Sequence, residues 1–232
     1  MKENRIKHLM YGPDGNRRYA AEKGISFADA YNIAARRLVD FTRWCFEDEP
    51  VDELSLWVMQ EYNLDRPPEQ IKPITRAIMD CIGYVCKSDI VRKQDIQVNV
   101  VGELDRFFDV YDGDMSELNA FLTHVKDNSG RKLNFIFPYN GSKELARAWK
   151  RCDEDGIEPT FANLSQRWSI PLVTLFLRSG QPDGFNRLSD YYPGIEQARL
   201  ISTPTYPQEL TQKELHEIIE SFLNLKDSFE KL

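Results

Sequence analysis

Short apolar runs alternate with longer amphipathic segments along this chain. The short runs have the length and composition of buried strands and predict six of them: Ile6–Tyr11, Leu54–Met59, Ile96–Val101, Leu133–Phe137, Val173–Leu177 and a less regular Leu200–Thr203. Several runs are apolar at every position, as strands covered by helices on both faces must be.

Helical periodicity fills the segments between these runs. From Ser26 to Phe46, apolar residues recur every three or four positions, and Ser26 precedes Asp29 at the spacing of a helix cap. Residues 66–93 open with prolines that a first helical turn tolerates and predict one long helix. A short helix is expected to end at Gly24, and further helices are predicted at Met115–Val125, Ser142–Cys152, Phe161–Trp168 and Thr211–Phe229.

Repeated alternation of strand and helix is typical of an α/β protein. We therefore predict a mostly parallel six-stranded sheet with helices on both faces. No linker, internal repeat or low-complexity stretch interrupts the pattern, and so residues 1–232 are expected to form a single domain.

Composition narrows the class of protein. A net charge of -7 and a pI near 5.2 argue against a general nucleic-acid binder. No apolar run is long enough to span a membrane and no signal peptide opens the chain, so a cytoplasmic location is expected. The four cysteines lack metal-ligand spacing and are expected to be buried free thiols.

Candidate chemistry begins where the first strand ends, in YGPDGNRRYA. Gly15 would let backbone N–H groups approach a ligand, and Arg17 and Arg18 could bind phosphate oxygens. Asp14 would repel a phosphate unless a divalent cation such as Mg²⁺ lay between them. From these residues alone, a plain Asp-Gly turn with solvated arginines stays open.

The same segment carries a resemblance that continues along the chain. His8, the step of six residues to Asp14, and DGNRRYA resemble the H-x5-D-G-N-x-R-W-A signature of the cis-prenyltransferase (undecaprenyl diphosphate synthase) family. Further likenesses follow in the family's order: AYNIAARRL, NLDRPPEQI, VVGELDRF, LNFIFPYNGSKEL, Arg178 with RLS at 187–189, and TPTYPQELTQKEL. The opening segment is similar to the divergent branch that contains cyclolavandulyl diphosphate synthase.

This resemblance implies a prenyl-transferring enzyme, expected as a homodimer, that takes an allylic prenyl diphosphate. By analogy Asp14 holds Mg²⁺ against that diphosphate, and Asn63 and Arg66 lie beside the reacting centre. The residues implied in binding the two diphosphates are Gly15, Asn16, Arg17 and Arg18 at the first site and Arg178, Arg187 and Ser189 at the second. The acceptor is expected to be isopentenyl diphosphate, another isoprenoid diphosphate or a non-isoprenoid compound.

Departures from the family pattern concern mainly the second site. The family's metal-binding glutamate is replaced by Arg199 or Leu200, and a guanidinium group there could bind diphosphate without a metal. Tyr31 stands where the family has a histidine, and Tyr62 where it has a glutamate; both are expected at the substrate, where their rings could stabilise a carbocation.

Three functions fit these observations. The first is a divergent short-chain prenyltransferase, with a small donor or product if the bulky positions Ile74, Ile78, Met79 and Ile82 close a hydrocarbon tunnel. The second is a terpene synthase that acts on one prenyl diphosphate. The third is a non-catalytic partner subunit of an active cis-prenyltransferase.

Overall fold

One parallel sheet organises the molecule. The computed structural model describes residues 5–180, 193–195 and 197–229. Its six strands lie in the order β3-β4-β2-β1-β5-β6, and every pair is parallel. The strands are β1 (Leu9–Pro13), β2 (Glu53–Trp57), β3 (Gln97–Val101), β4 (Lys132–Ile136), β5 (Leu175–Ser179) and β6 (Arg199–Ser202). The predicted fold class is confirmed, and each predicted strand overlaps an observed one.

The helices follow the predicted order, except that one predicted helix is divided into two and one short helix, Leu104–Phe108, had not been predicted. They are α1 (Asn16–Lys23), α2 (Phe27–Glu47), α3 (Pro68–Cys86), α4 (Asp89–Lys93), α5 (Leu104–Phe108), α6 (Met115–Thr123), α7 (Gly141–Glu154), α8 (Phe161–Ser165) and α9 (Gln212–Phe229). The helix predicted over 66–93 is therefore two helices. It breaks because Ser88 adopts an extended conformation and its hydroxyl donates to the Val85 carbonyl, 2.6 Å away, which satisfies an oxygen at the helix end.

Helices cover both faces of the sheet, as the apolar strands required. One face packs a large core against α2, α3 and α9. The other face packs a smaller core, which includes Trp57, Phe176 and Trp168, against α7 and α8. The four cysteines are buried free thiols, as predicted. Within residues 5–180, 193–195 and 197–229, no helix has the length and apolar character that a membrane crossing requires.

The strand order fixes where a ligand can bind. From β1 the chain turns to β2 on one side, and after β4 it crosses to β5 on the other side of β1. In an open parallel sheet, such a change of direction leaves a crevice at the carboxyl ends of the strands. The crevice here lies beyond Pro13, between the ends of β2 and β5.

The last helix is joined to the end of α2 by a histidine–carboxylate pair. His216 Nδ1 lies 3.0 Å from an oxygen of Glu49, which is buried, whereas the His216 side chain is 53% exposed. The hydrogen bond and charge of Glu49 raise the pKa of His216 above its ordinary value of 6.5, and Glu220 and Glu217 add to this effect. Burial raises the pKa of Glu49, although His216 opposes that rise.

We predict that this pair makes the stability of the protein depend on pH. Because the pKa of His216 is higher in the folded chain than in the unfolded chain, its stabilising contribution is complete below about pH 6.5 and is lost as the pH rises through the raised value. Thermal unfolding midpoints of His216→Gln and the native chain should converge as the pH rises above neutrality. His124→Gln, a change of an exposed histidine, should follow the native chain at every pH. A constant gap for His216→Gln would contradict the assignment.

Candidate active site

The turn after β1 is built to expose backbone amides. Gly15 has φ of 88°, in the left-handed region, and caps the first turn of α1. A methyl group at Gly15 would lie only 2.9 Å from the ring of Tyr206. Position 15 therefore requires glycine, because its backbone is left-handed and because a side chain would collide with Tyr206. The N-terminus of α1, which favours anions, opens beside Asp14.

A second glycine turn, at the end of β5, packs directly on the first. Gly180 has φ of 66°, and a methyl group there would lie 2.2 Å from the Asp14 carbonyl oxygen. Arg18 donates a hydrogen bond to the Gly180 carbonyl, and the Gly180 N–H donates to Thr205 at 2.7 Å. The carboxyl ends of β1 and β5 are thus held in contact.

An ion pair links the same two strand ends. Arg178 Nη2 donates to Asp14 Oδ2 at 2.6 Å. Burial opposes the negative charge of Asp14, but hydrogen bonds from Arg178 and from the Gly15 N–H outweigh it and hold the pKa of this carboxyl below its usual value. Asp14 is therefore ionised at neutral pH. Arg178 partly neutralises it.

Asn63 comes from a 3₁₀ helix, Glu61–Asp65, that follows β2. Its Oδ1 accepts a hydrogen bond from the Gln60 N–H at 3.3 Å. Its Nδ2 is buried and, among the described residues, has no hydrogen-bond partner. A buried donor without an acceptor is unfavourable in the free protein. Asn63 Nδ2 is therefore suited to donate a hydrogen bond to a ligand oxygen.

These side chains surround one open cavity of about 690 Å³. Among the residues that the structure describes, its charged lining consists of the arginines Arg17, Arg18, Arg66 and Arg178 and one acid, Asp14. This excess of positive charge suits a ligand with several negative charges. Aromatic side chains also reach the cavity, namely Phe27, Tyr31, Trp57, Tyr62 and Phe176.

A narrow apolar pocket of about 40 Å³ adjoins this cavity between α2 and α3. Leu38, Ile74, Ile78 and Phe135 form much of its wall. Met79 and Ile82 are buried in the core and do not line it. The arrangement is that of a polar cavity for an anionic head group with a small pocket for an apolar tail.

Comparison with known proteins decides the family. The undecaprenyl diphosphate synthase family model matches residues 13–230. The chain belongs to this family. An isoprenyl transferase of Campylobacter jejuni is 28% identical over 230 residues, covering 98% of this chain and 100% of the relative. An isoprenyl transferase of Helicobacter pylori is 26% identical and covers 99% of each chain.

Solved structures share the fold of this cis-prenyltransferase. Lavandulyl diphosphate synthase from Lavandula x intermedia, solved in complex with dimethylallyl diphosphate, superposes with a TM-score of 0.77 at 17% identity and covers 96% of this chain and 97% of its own. An undecaprenyl diphosphate synthase structure from Campylobacter jejuni gives 0.74 at 24% identity, with 97% of each chain covered. The resemblance found in the sequence motifs is confirmed. The chain is a member of a family of prenyl-transferring enzymes.

Most of the site residues expected from the family motifs line the cavity of this cis-prenyltransferase. They are Asp14, Gly15, Asn16, Arg17, Arg18, Tyr31, Tyr62, Asn63, Arg66 and Arg178. Arg187 and Ser189 lie outside the described residues. Their roles, like those of the lining residues, stay predictions.

Arg199 is not brought to the cavity. It is the exposed first residue of β6 and pairs with Leu175, whereas Arg178 pairs with Ser202 at the other end of the same strands. Three residues of extended strand separate the two ends by about 10 Å. The position of Arg199 therefore does not support its expected binding of the second diphosphate. The expectation came from counting about eleven residues onward from Ser189, with a one-residue gap leaving Arg199 or Leu200 at that place.

Two features of the cavity had not been expected. Trp57 lies at the end of β2, where it contributes to the smaller core and also lines the cavity. Gly180 was not among the expected site residues. The dipeptide Ser179-Gly180, which follows Arg178 at the end of a strand, is the sequence pattern that indicates a turn there.

Tyr31 has a chemical setting unlike that of an exposed tyrosine. Burial raises the pKa of its phenol, while the charges of Arg66 and Arg17 oppose the rise. The group is therefore a neutral hydrogen-bonding phenol at neutral pH.

Metal binding can be judged from the residues present. The described residues contain no cluster of three or more histidine, cysteine or acidic side chains that could hold a cation. Asp14 alone fits the usual mode for Mg²⁺, in which one or two carboxylates act together with substrate phosphates and water. The site thus fits a cation that arrives with a diphosphate.

We predict that the contact between the two glycine turns is needed for diphosphate binding. In Gly180→Ala, the added methyl group must displace the Asp14 backbone. We expect the affinity for inorganic pyrophosphate to fall by about tenfold or more, which corresponds to the loss of at least one charge-assisted hydrogen bond. Isothermal titration calorimetry measures this affinity.

Gly24→Ala is the matched control, because Gly24 has φ of 63° but nothing within 4 Å of its added methyl group. It should cost about 1–2 kcal/mol of stability for the left-handed conformation and leave pyrophosphate affinity unchanged. If Gly180→Ala bound pyrophosphate as tightly as Gly24→Ala does, the contact with Asp14 would not be needed for diphosphate binding.

Proposed function

We propose that this protein is a short-chain prenyltransferase that ionises a small allylic diphosphate and transfers its prenyl group to an acceptor, releasing pyrophosphate. The observation that carries the proposal is the junction of a cavity lined by four arginines with an apolar pocket of about 40 Å³. The cavity suits the diphosphate, and the apolar pocket suits a short hydrocarbon.

The chemistry follows from this placement of the substrate. The bond between C1 and the ester oxygen breaks, its electron pair leaves with pyrophosphate, and the allylic cation is attacked by the acceptor's double bond, which then loses a proton. Arg17, Arg18 and Arg66 would stabilise the charge that builds on the leaving group. Mg²⁺, held by Asp14 and the diphosphate, would supply further neutralisation of that charge.

Arg178 is the described residue best placed for an acceptor that carries a diphosphate. It lines the cavity and belongs to the motif that binds the second diphosphate in the family. Isopentenyl diphosphate, another isoprenoid diphosphate and a non-isoprenoid acceptor all fit this part of the proposal. A homodimer and a cytoplasmic location also belong to the proposal and rest on the family resemblance.

A terpene synthase is a second candidate, because several aromatic rings line the cavity that would hold the ionising substrate. Phe27, Tyr31, Trp57 and Phe176 line the cavity. Aromatic faces stabilise carbocations and could guide cyclisation without an acceptor. The partner-subunit hypothesis has less support, since Asp14 and the glycine turns of the first site are intact.

Product analysis separates the two catalytic candidates. The protein is incubated with Mg²⁺ and dimethylallyl, geranyl or farnesyl diphosphate, each with and without isopentenyl diphosphate. The prenyltransferase releases pyrophosphate and yields a product heavier than the donor. A hydrocarbon or alcohol from one diphosphate alone supports the synthase. Binding without turnover across the panel would contradict both.

We predict that Asp14→Asn lowers the turnover number by at least about 100-fold, because an amide is a poor ligand for Mg²⁺ and carries no charge. Pyrophosphate release measures the effect. Asp105→Asn is the control, since Asp105 is exposed on α5 and should behave like the native chain. Unchanged turnover in Asp14→Asn would remove Asp14 from the proposed mechanism.

We predict that Ile78→Ala lengthens the donor that the enzyme prefers. Removing the side chain deepens the apolar pocket, and the ratio of kcat/KM for geranyl over dimethylallyl diphosphate should rise by about tenfold, the usual discrimination for a small change in chain size. Ile82→Ala is the matched control, because Ile82 lies one turn further along α3 and does not line the pocket. An unchanged ratio in Ile78→Ala would show that this pocket does not hold the prenyl group.

A further inference from the structure

Five residues line both the polar cavity and the apolar pocket: Pro13, Asn16, Tyr31, Val58 and Ile74. They mark the junction of the two spaces. On the proposed function, a donor with its diphosphate in the cavity and its prenyl tail in the pocket places its C1–O bond at this junction. Asn16 and Tyr31 are the two junction residues with polar side chains.

The orientation of the Asn16 amide is fixed from both ends. Its Nδ2 donates to the Pro13 carbonyl at 3.2 Å, and its Oδ1 accepts from Gln208 Nε2 at 2.8 Å. Since the oxygen is held by Gln208, the nitrogen is the end of the amide that can donate to a ligand. One of its two N–H groups is still available after the bond to Pro13.

Gln208 can be present in only one orientation. It is 4% exposed, and its Nε2 donates to the Ala30 carbonyl at 3.0 Å as well as to Asn16. Rotating the amide by half a turn would place Oε1 against two acceptors. In the observed orientation Oε1 is buried and has no partner among the residues described, which is unfavourable for stability. Gln208 therefore acts as a donor at this site.

We propose that Gln208 is a positioning residue that turns the Asn16 amide so that it donates an N–H to the departing ester oxygen of the donor diphosphate. Asn16 is then a catalytic residue that stabilises charge as the C1–O bond breaks. Such a donor accelerates the bond-breaking step more than it strengthens substrate binding, because the charge on the ester oxygen grows only as the bond breaks.

Gln208→Glu tests this role through pH. An ionised carboxylate only accepts hydrogen bonds, so the Asn16 amide must turn its nitrogen to position 208 and its oxygen to the junction. At about pH 8, kcat should fall by roughly 10- to 100-fold with little change in KM for the donor. A protonated carboxyl can donate again, so kcat relative to the native chain should recover as the pH falls. Gln212→Glu, an exposed change at the start of α9, should show no such recovery.

A spectroscopic readout keeps the test independent of turnover. In protein labelled with ¹⁵N-asparagine, the side-chain amide of Asn16, assigned from Asn16→Asp, should shift with pH in Gln208→Glu and stay constant in the native chain. A constant signal in both proteins overturns the positioning role. A shifting signal with a flat relative kcat overturns the catalytic role. No turnover by the native chain refutes the proposed function, while the signal still decides the orientation of Asn16.

A double-mutant cycle covers the case in which Gln208→Glu does not fold. If Gln208 acts only through Asn16, Asn16→Ala should lower kcat, and adding Gln208→Leu should lower it little further. Fully additive losses would overturn the proposal, because they would show that the two side chains act separately.

Discussion

The candidate site depends on the contact between two glycine turns at the carboxyl ends of β1 and β5. Gly15 and Gly180 both adopt left-handed conformations, and neither has room for a side chain against the opposing turn. This contact brings Asp14 within 2.6 Å of Arg178, although 164 residues separate them in the chain. The parallel sheet makes the contact possible, because β1 and β5 are neighbours in register and end at the same edge.

Sequence patterns identified the elements better than they identified distances between them. The six strands were predictable because each is a short apolar run that only a doubly covered strand explains. The break between α3 and α4 was not, since a single serine hydroxyl bonded to a nearby carbonyl ends the helix where apolar periodicity continues. α5 was missed because five residues are too few to show a period.

The site was predictable to the extent that it is local. Asp14, Gly15 and Arg18 lie on one turn, so the motif that suggested them also places them together. Arg199 was expected at the site by counting residues onward from Ser189, but such a count does not show at which end of β6 the residue lies. Gln208 was out of reach for a different reason: its contact with Asn16 joins residues 192 apart, and nothing in the local sequence announces it.

Charge and volume together limit what this site can accept. The chain as a whole carries a net charge of -7, yet the described part of the cavity lining has four arginines and one acid. The cavity can therefore attract an anion although the net charge of the whole chain is negative. The adjoining pocket of about 40 Å³ limits the length of the apolar tail, because a long prenyl tail would have to displace well-packed side chains such as Ile78. A polyanionic head with a short apolar tail satisfies both limits.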